Sequence, residues 1–269
     1  MGNPYLIDRP ACISFSGGRT SGYMLWHIIQ AFGGTLPDDV HVVFANTGKE
    51  RLETIDFIHE CETRWNLNVH WLEYVEDGGR RWREVDYDTA SREGEPFEAL
   101  IRRKKYLPNA ITRLCTTGLK IEPIQRFMGE HLALKHWTTA VGIRHDEPRR
   151  WRILGEDARN TREFKIAPLK DSGVTEDDVL RWWGQQEFDL RLRTYEGNCD
   201  LCFLKGRAKK ALIAQENPGL VEWWARMEEQ TGALFRKDQD SYAQMQGQGF
   251  LFRADDDGAD DGVSCFCTD

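Results

Sequence analysis

The sequence lacks the features of a membrane or exported protein. No apolar run approaches the ~20 residues that a membrane-spanning helix requires. Residues 1–10 also lack the charged and then apolar pattern of a signal peptide. We therefore expect a cytoplasmic protein with no membrane partner.

The chain also has fewer positively charged than negatively charged residues. The chain contains 36 Lys and Arg against 44 Asp and Glu, which gives a formal net charge of −8. This balance argues against general electrostatic binding to nucleic acid, but a local basic patch would still attract a phosphate backbone. Residues 102–105, with Arg80, Arg81 and Arg83, form either such a patch or a solvated loop face. A nucleic acid therefore remains one alternative for the substrate.

The cysteines do not suggest a disulfide framework, because their number is odd, at seven, and no export signal precedes them. Cys12 and Cys61 lie within apolar patterns and are predicted to be small core residues. The other five lie in or beside loop-like sequence: Cys115, Cys199, Cys202, Cys265 and Cys267.

Short β-rich runs alternate with helical patterns in the N-terminal half. Ala11–Phe15 and Val40–Ala45 are predicted strands. Between them, apolar residues at 25, 28, 29 and 32 have the spacing of a core-facing helix, which Gly33 and Gly34 end. Such a βαβ unit almost always crosses over right-handed into a parallel sheet.

The same alternation continues along the chain. Apolar residues from Leu52 to Trp65 predict a second helix, and Val69–Tyr74 and Trp137–Val141 predict two more strands. Thr175 and Asp178 have the spacing of a capping box at the start of a later helix. The predicted fold class is therefore α/β, with a doubly wound, mostly parallel sheet and a helical, cysteine-containing C-terminal region.

We divide the chain into three parts. Residues 1–168 form the α/β domain, in which residues 78–109 are polar and are predicted to be an irregular excursion. Residues 169–253 form a helical region with Cys199-x-x-Cys202. Residues 254–269 form a flexible acidic tail with Cys265-x-Cys267.

A glycine-containing loop, Ser16-Gly17-Gly18-Arg19-Thr20-Ser21-Gly22, lies directly between the first strand and the first helix. Glycine lets the backbone approach a phosphate, and a helix N-terminus supplies N–H donors and a partial positive charge. The loop is neither a Walker A motif nor a dinucleotide fingerprint. Its position favours phosphate binding over a simple tight turn.

This loop resembles the PP-loop of ATP pyrophosphatases and PAPS reductases, usually Ser-Gly-Gly-x-Asp-Ser, with Thr20 in place of the Asp. Asn46-Thr47-Gly48 with Glu53-Thr54 resembles the family's Thr-Gly and Glu-Thr stretch, and Gly142-Ile143-Arg144 resembles its Gly-x-Arg motif. Residues 166–179 are similar to its Pro-Leu segment and capped helix. With four features in order, the chain is identified as a member of the PP-loop and PAPS reductase family, with an adenine nucleotide alpha-hydrolase-like fold.

The resemblance implies an adenine nucleotide, either ATP with magnesium bridging its phosphates, or PAPS or APS. Arg144 and Arg149 would clamp the anion, or they would form surface salt bridges with Asp146 and Glu147. The residues expected to bind the nucleotide are Ser16, Gly17, Gly18, Arg19, Thr20, Ser21, Asn46, Thr47, Gly48, Gly142, Arg144 and Arg149.

The cysteine pattern resembles that of APS reductases, which hold a 4Fe–4S cluster on a Cys-Cys pair and a later CxxC. Leu114 stands at one position of the pair, so this resemblance implies Cys115, Cys199 and Cys202 as ligands. The fourth would be Cys265 or Cys267, or the fourth iron would stay open, as in sulfur-transferring PP-loop enzymes.

Two other interpretations of the cysteines remain. Four thiolates would equally suit a closed structural zinc site. Alternatively, Cys265 or Cys267 is a mobile nucleophile, as in sulfonucleotide reductases, although their tail reads Glu-Cys-Gly-x-His and this one ends Ser-Cys-Phe-Cys-Thr-Asp.

Three functional hypotheses follow. In the first, the enzyme adenylates an acceptor with ATP, and sulfur from a donor protein then arrives through the iron–sulfur cluster. In the second, the protein is a PAPS or APS reductase, in which Arg144 holds the anion, Cys265 or Cys267 attacks the sulfate sulfur, and thioredoxin regenerates the thiol. In the third, it is a non-catalytic nucleotide sensor or nucleic-acid-binding protein. Only the first predicts pyrophosphate release from ATP.

Overall fold

The computed structural model describes residues 2–109, 111–156 and 162–247. Its six strands are β1 (Ala11–Ser14), β2 (Val40–Asn46), β3 (Val69–Glu73), β4 (Arg83–Val85), β5 (Trp137–Val141) and β6 (Glu163–Ile166). They form one sheet in the order β4-β3-β2-β1-β5-β6. Every neighbouring pair is parallel except β3 and β4. The predicted α/β class with a mostly parallel sheet is confirmed.

Helices connect the strands and make up the C-terminal part. Their bounds are α1 (Arg19–Ala31), α2 (Leu52–Arg64), α3 (Glu95–Lys104), α4 (Glu122–Arg126), α5 (Pro148–Glu156), α6 (Pro168–Asp171), α7 (Glu176–Trp183), α8 (Arg207–Glu216), α9 (Leu220–Thr231) and α10 (Tyr242–Gly247). Two π-helical segments, Cys115–Ile121 and Phe127–His131, flank α4.

The sheet is covered on both faces, as a doubly wound fold requires. On one face, Ile13 and Phe44 share an apolar cluster with residues of α1, α2 and α7. On the other face, Cys12 and Leu72 pack with Phe127 and neighbouring residues that follow α4. Cys12 and Cys61 are fully buried, so their predicted role as core residues is confirmed.

Two strands have no counterpart in the sequence analysis. Both lie at the edges of the sheet, where one side of the strand is unpaired and the apolar pattern is weak. In β4, Arg83 and Glu84 are exposed, and in β6 the side chain of Phe164 is 69% exposed. Neither strand therefore carries the run of apolar residues that predicts a buried strand.

The prediction of an irregular excursion over residues 78–109 is wrong in part, because this segment contains β4 and α3. The buried residues Phe97, Leu100 and Ile101 of α3 follow helical spacing. Four consecutive basic residues directly after them, at 102–105, concealed this short stripe in the sequence.

The packing changes near residue 192 rather than at residue 168. Val179 and Trp183 of α7, and Leu190 and Leu192 after it, belong to the same apolar cluster as β1 and β2. Residues of α8, α9 and α10 share a separate cluster with α3. Trp183, Trp223 and Trp224 are buried in these clusters, which confirms the predicted core role of these tryptophans.

No helix in the described part of the chain is both long and apolar enough to cross a membrane. The predicted flexible tail, residues 254–269, lies outside the described residues.

Candidate nucleotide-binding site

The loop between β1 and α1 has a backbone that only glycine allows. Gly17 has φ +79°, and a Cβ atom at this position would lie 2.7 Å from both Thr54 Cγ2 and Ile58 Cδ1. The loop therefore packs directly on α2, with no room for a side chain at Gly17. This close approach explains the glycine in physical terms.

The N-terminus of α1 is free of side-chain caps. Gly18 is the N-cap residue, it makes no side-chain cap hydrogen bond, and the first turn contains no acidic residue. Because the first N–H groups of a helix have no intrahelical partner, this end of a 13-residue helix favours an anion.

The two predicted serines of the loop hold its shape. Ser16 Oγ and Ser21 Oγ lie 2.9 Å apart, and the Ser16 N–H donates to Ser21 Oγ at 3.3 Å. Ser21 Oγ also donates to the Gly18 carbonyl at 3.0 Å. These bonds preorganise the loop.

Arg19 does not offer a free cation to a phosphate. Its Nε and Nη2 donate to the two carboxylate oxygens of Asp189 at 2.7 and 2.8 Å, and Nη2 also contacts the carbonyls of Leu190 and Leu192. This bidentate pair neutralises the charge and ties α1 to the segment after α7. Arg19 thus has a partner 170 residues away in the sequence, and its predicted role in nucleotide binding stays a prediction.

Arg144, of the Gly-x-Arg motif, contacts the loop of residues 16–22, which is named the phosphate loop for its predicted role. Its Nη1 donates to Thr20 Oγ1 at 3.0 Å, and both residues are buried. Gly142 makes this approach possible, since a Cβ atom there would lie 3.2 Å from the Cα of Ser21. The end of β5 and the start of α1 thus meet at the carboxyl edge of the sheet, where open α/β folds bind ligands.

Two carboxylates also contact Arg144. Its Nε lies 3.0 Å from Asp146, and its Nη2 lies 3.6 Å from Glu176. Burial alone would raise the pKa of Asp146, but the Glu176 backbone N–H and the Arg144 guanidinium hold that pKa below its usual value. Arg144 thus forms the salt bridge with Asp146 that was one of the two alternatives, and its role as an anion clamp stays a prediction.

Arg149 and its neighbour Arg150 have different environments in α5. Arg149 is exposed, whereas Arg150 is buried and donates to Glu147 at 2.6 Å. The exposed side chain of Arg149 is not held in one orientation by buried neighbours. Its predicted role as an anion clamp stays a prediction.

The motif after β2 is held by internal hydrogen bonds. The Asn46 amide donates to Glu73 at 2.7 Å and to the Ser91 carbonyl at 2.8 Å. The N–H and hydroxyl of Thr47 both donate to Glu50, at 2.8 and 2.9 Å. Gly48, at φ +75°, approaches Gly94 so closely that a Cβ atom would lie 3.0 Å from its backbone. These side chains shape the turn beside the phosphate loop.

The CxxC segment lies against this turn and against the phosphate loop. Residues 198–200 pair with residues 49–51 through Arg51 N–H to Asn198 O at 2.8 Å and Asp200 N–H to Lys49 O at 2.9 Å. The Asn198 side chain donates to the Ser16 carbonyl at 3.1 Å. Cys199, between these contacts, is therefore held beside the nucleotide motifs.

A buried ion pair strengthens the same junction. Lys49 Nζ lies 2.7 Å from Asp200, and the two side chains are 8% and 4% exposed. The Trp224 indole N–H also donates to Asp200, at 2.9 Å. Glu50, equally buried, faces Lys120 at 3.4 Å, which brings the π-helical segment of Cys115 to this junction.

The three described candidate ligands lie around one apolar cluster. Cys202 is buried within the cluster that α3 shares with α8–α10, and Cys115 and Cys199 pack against it. Within residues 2–109, 111–156 and 162–247, however, no three His, Cys, Asp or Glu side chains form a group that could hold a metal ion. As placed, Cys115, Cys199 and Cys202 do not form such a group by themselves, and a zinc or 4Fe–4S site completed by Cys265 or Cys267 stays a prediction. Cys265 and Cys267 lie outside the described residues.

The predicted basic patch is largely ion-paired. Arg83 lies 2.7 Å from Glu73, Arg102 lies 3.1 Å from Glu98, and Arg81 and Arg103 each lie 3.7 Å from Glu76. This pairing favours the solvated loop face over a site for a nucleic-acid backbone.

A sequence profile of the phosphoadenosine phosphosulfate reductase domain matches residues 10–191. The chain belongs to this family. The uncharacterized nin region protein ORF290 of Escherichia phage lambda is 33% identical over 216 residues, which cover 77% of this chain and 70% of that protein. An uncharacterized protein of Methanocaldococcus jannaschii is 27% identical over 46% of this chain and 21% of its own length.

Two solved structures show a limited similarity to this chain. The PAPS reductase of Candida auris in complex with phosphate is 16% identical, with a TM-score of 0.41 over 68% of this chain and 79% of that chain. The U34-tRNA thiolase NcsA of Methanococcus maripaludis, with its [4Fe-4S] cluster, is 14% identical, with a TM-score of 0.41 over 86% of this chain and 74% of that chain.

Membership of this nucleotide-binding family agrees with a site at the carboxyl edge of β1, β2 and β5. The sequence analysis missed three polar residues that assemble the site: Glu50, Asn198 and Asp200. Asn198 and Asp200 flank Cys199. Their position beside the CxxC motif was the feature of the sequence that could have marked them as site residues. Their partners, however, are Ser16 and Lys49, which no local pattern could reveal.

Proposed function

We propose that this protein binds ATP with its phosphates at residues 16–21 and transfers the adenylate group to an acceptor oxygen. The observation that carries the proposal is the uncapped N-terminus of α1, which follows a loop with no room for a Cβ atom at Gly17. Backbone N–H groups in this arrangement suit the oxygens of a polyphosphate.

In the proposed reaction, an acceptor oxygen attacks the α-phosphorus of MgATP. A new P–O bond forms, the bond from the α-phosphorus to the bridging oxygen breaks, and pyrophosphate leaves with the magnesium ion. The protein contributes positioning and charge stabilisation, through the loop N–H groups and Arg144.

Thr20 supports a polyphosphate as the ligand. Arg144 already contacts Asp146 and Glu176, and an aspartate at position 20 would add a third carboxylate beside the same guanidinium. The neutral hydroxyl of Thr20 accepts a hydrogen bond from Arg144 and leaves more of its positive charge for the ligand.

Sulfur transfer is the proposed second half of the reaction. Cys199 directly follows Asn198, whose side chain bonds to the phosphate loop, so the backbone at position 199 lies next to that loop. A persulfide donor would transfer its outer sulfur to Cys199, and this sulfur would attack the adenylated acceptor with loss of AMP. A dithiol protein such as reduced thioredoxin would then cleave the S–S bond that joins the acceptor to Cys199, which releases the thiolated product and the free Cys199 thiol. No step of this proposal uses a metal cluster, since the described cysteines do not form a metal-binding group by themselves.

The products formed from ATP test the proposal. With MgATP, and with water as a slow stand-in for the acceptor, we expect AMP and pyrophosphate in equal amounts and no ADP. Gly17→Ala should abolish both products, whereas Gly33→Ala should retain them. Sulfite release from PAPS with reduced thioredoxin, without pyrophosphate release from ATP, would instead identify a sulfonucleotide reductase.

A further inference from the structure

A cavity lies where the α/β domain meets the C-terminal helices. Its volume is about 680 Å³, within the range of small-molecule sites. Its walls come from residues 49–53 after β2, residues 92–93 before α3, Asp200, and residues 217–226 at and around the start of α9. None of residues 16–21 or 142–144 lines it. The cavity thus begins where the Asn46-Thr47-Gly48 motif ends and is separate from the phosphate loop.

Two buried donors in its walls have no acceptor. Arg51 Nη1 and Trp223 Nε1 make no hydrogen bond within the described part of the chain, although both residues line the cavity. The side chain of Arg51 is 10% exposed and Trp223 is 6% exposed, so neither donor is open to bulk water. Buried donors are normally satisfied. Both nitrogen atoms are covered in this structure, so a ligand that presents an acceptor to them would have to displace part of the cavity wall.

The walls carry both signs of charge. Arg92 donates to the carbonyls of Tyr87 and Ala90, and it forms no ion pair with any described carboxylate. Glu93 and Glu222 are exposed at the rim of the cavity. A polyanion such as a nucleic-acid backbone would be repelled by these carboxylates, and an apolar molecule would leave the buried donors unsatisfied.

We propose that this cavity binds a small zwitterion of the α-amino acid type. Its carboxylate would accept hydrogen bonds from Arg51 and Trp223, and its ammonium group would lie among the acidic side chains. The site does not rest on the proposed function, because none of residues 16–21 lines the cavity.

Gly219 offers a way to block the cavity without disturbing the fold. It lines the cavity with φ −62°, and a Cβ atom there would contact nothing within 4 Å. Gly219→Leu should therefore fill part of the cavity, and Gly219→Ala is the matched control. Trp223→Phe removes one unpaired donor and keeps an aromatic ring among Phe97 and Trp224.

The test is isothermal titration with each of the twenty standard amino acids as probes. We expect at least one to bind wild type and Gly219→Ala, and to bind Gly219→Leu and Trp223→Phe at least tenfold more weakly. The corresponding amine without a carboxylate should not bind. Binding of none of the twenty, or equal binding to all four proteins, would overturn the proposal.

Titration with MgATP separates this site from the proposed function. Gly219→Leu should bind MgATP as wild type does, and a loss of MgATP binding would show that the cavity is the nucleotide site instead. If wild type binds an amino acid in the expected pattern but no MgATP, the zwitterion site stands and the proposed adenylation fails.

Discussion

At the scale of single residues, Gly17 imposes the strictest condition on the phosphate loop. Gly33 has the same φ of +79° and, unlike Gly17, has open space around its missing Cβ atom. Gly33→Ala should therefore cost only the left-handed backbone penalty, about 1–2 kcal/mol. Gly17→Ala adds a clash with Thr54 and Ile58 and should cost at least about 1 kcal/mol more.

Urea unfolding of the two variants measures this difference in the free energy of unfolding. Equal losses of unfolding free energy in the two variants would mean that α2 shifts to make room for the methyl group at position 17. The contact with Thr54 and Ile58 would then not fix the conformation of the loop.

The cysteines differ in their access to reagents. Cys202 is 5% exposed and Cys12 is fully buried, and burial raises the pKa of the Cys12 thiol well above its usual range. Cys199 is half-buried beside the phosphate loop. We expect iodoacetamide to modify Cys199 faster than Cys202 or Cys12, because reactivity follows exposure and thiolate fraction.

MgATP should slow the modification of Cys199 if the nucleotide orders the loop that Asn198 contacts. Peptide mass spectrometry at several reaction times gives the rate for each cysteine. An identical Cys199 rate with and without MgATP, at a concentration that saturates binding, would separate the thiol from the nucleotide site. Asn198→Leu, which removes the bond to Ser16, should also remove the protection.

At the scale of secondary-structure elements, α7 carries a pH-dependent cap. The Thr175 hydroxyl and N–H both donate to Asp178, at 2.7 and 3.0 Å. These two bonds lower the pKa of Asp178 in the folded protein. A carboxyl with a lowered folded pKa stabilises the fold above its unfolded pKa of about 3.9, and this contribution is lost as the pH falls through the folded pKa.

Asp178→Asn should therefore be less stable than wild type at pH 7, and the difference should shrink as the pH falls below about 4. Asp177→Asn is the matched control, since Asp177 is exposed in the same helical turn and outside the capping box. Thermal unfolding from pH 7 to pH 3 provides the comparison. A pH-independent difference would contradict the capping role.

The elements also show what a sequence can and cannot reveal. The strands β1, β2, β3 and β5 and the helix α2 follow apolar periodicity, so their bounds were predictable to within one or two residues. The capping box predicted where α7 begins, whereas α1 begins at Arg19, six residues before the apolar stripe that predicted it. The edge strands β4 and β6 were not predictable, because exposure on one side weakens their pattern. Arg19 shows the same limit in the site, since its partner Asp189 is distant in sequence.

At the scale of the whole molecule, the buried pair Lys49–Asp200 joins the α/β domain to the C-terminal helices. Removing one partner of a buried ion pair leaves an uncompensated charge, so Asp200→Asn should lower the free energy of unfolding by about 3–5 kcal/mol. The exposed pair Arg9–Asp39, 48% exposed on both sides, is the control, and Asp39→Asn should cost about 0–1 kcal/mol.

Denaturant unfolding, followed by tryptophan fluorescence and by circular dichroism, tests this joint. Similar losses for the two variants would mean that the junction contributes little. A loss of stability seen only by fluorescence would mean that the two parts of the chain unfold separately. That result would contradict a junction that couples them.

The most direct test of the central claim is calorimetric titration of MgATP into wild type, Gly17→Ala and Gly33→Ala, each first shown to be folded. The account predicts binding to wild type and Gly33→Ala, and at least tenfold weaker binding to Gly17→Ala. Equal binding to all three, or no binding to wild type, would contradict a nucleotide site at the loop between β1 and α1.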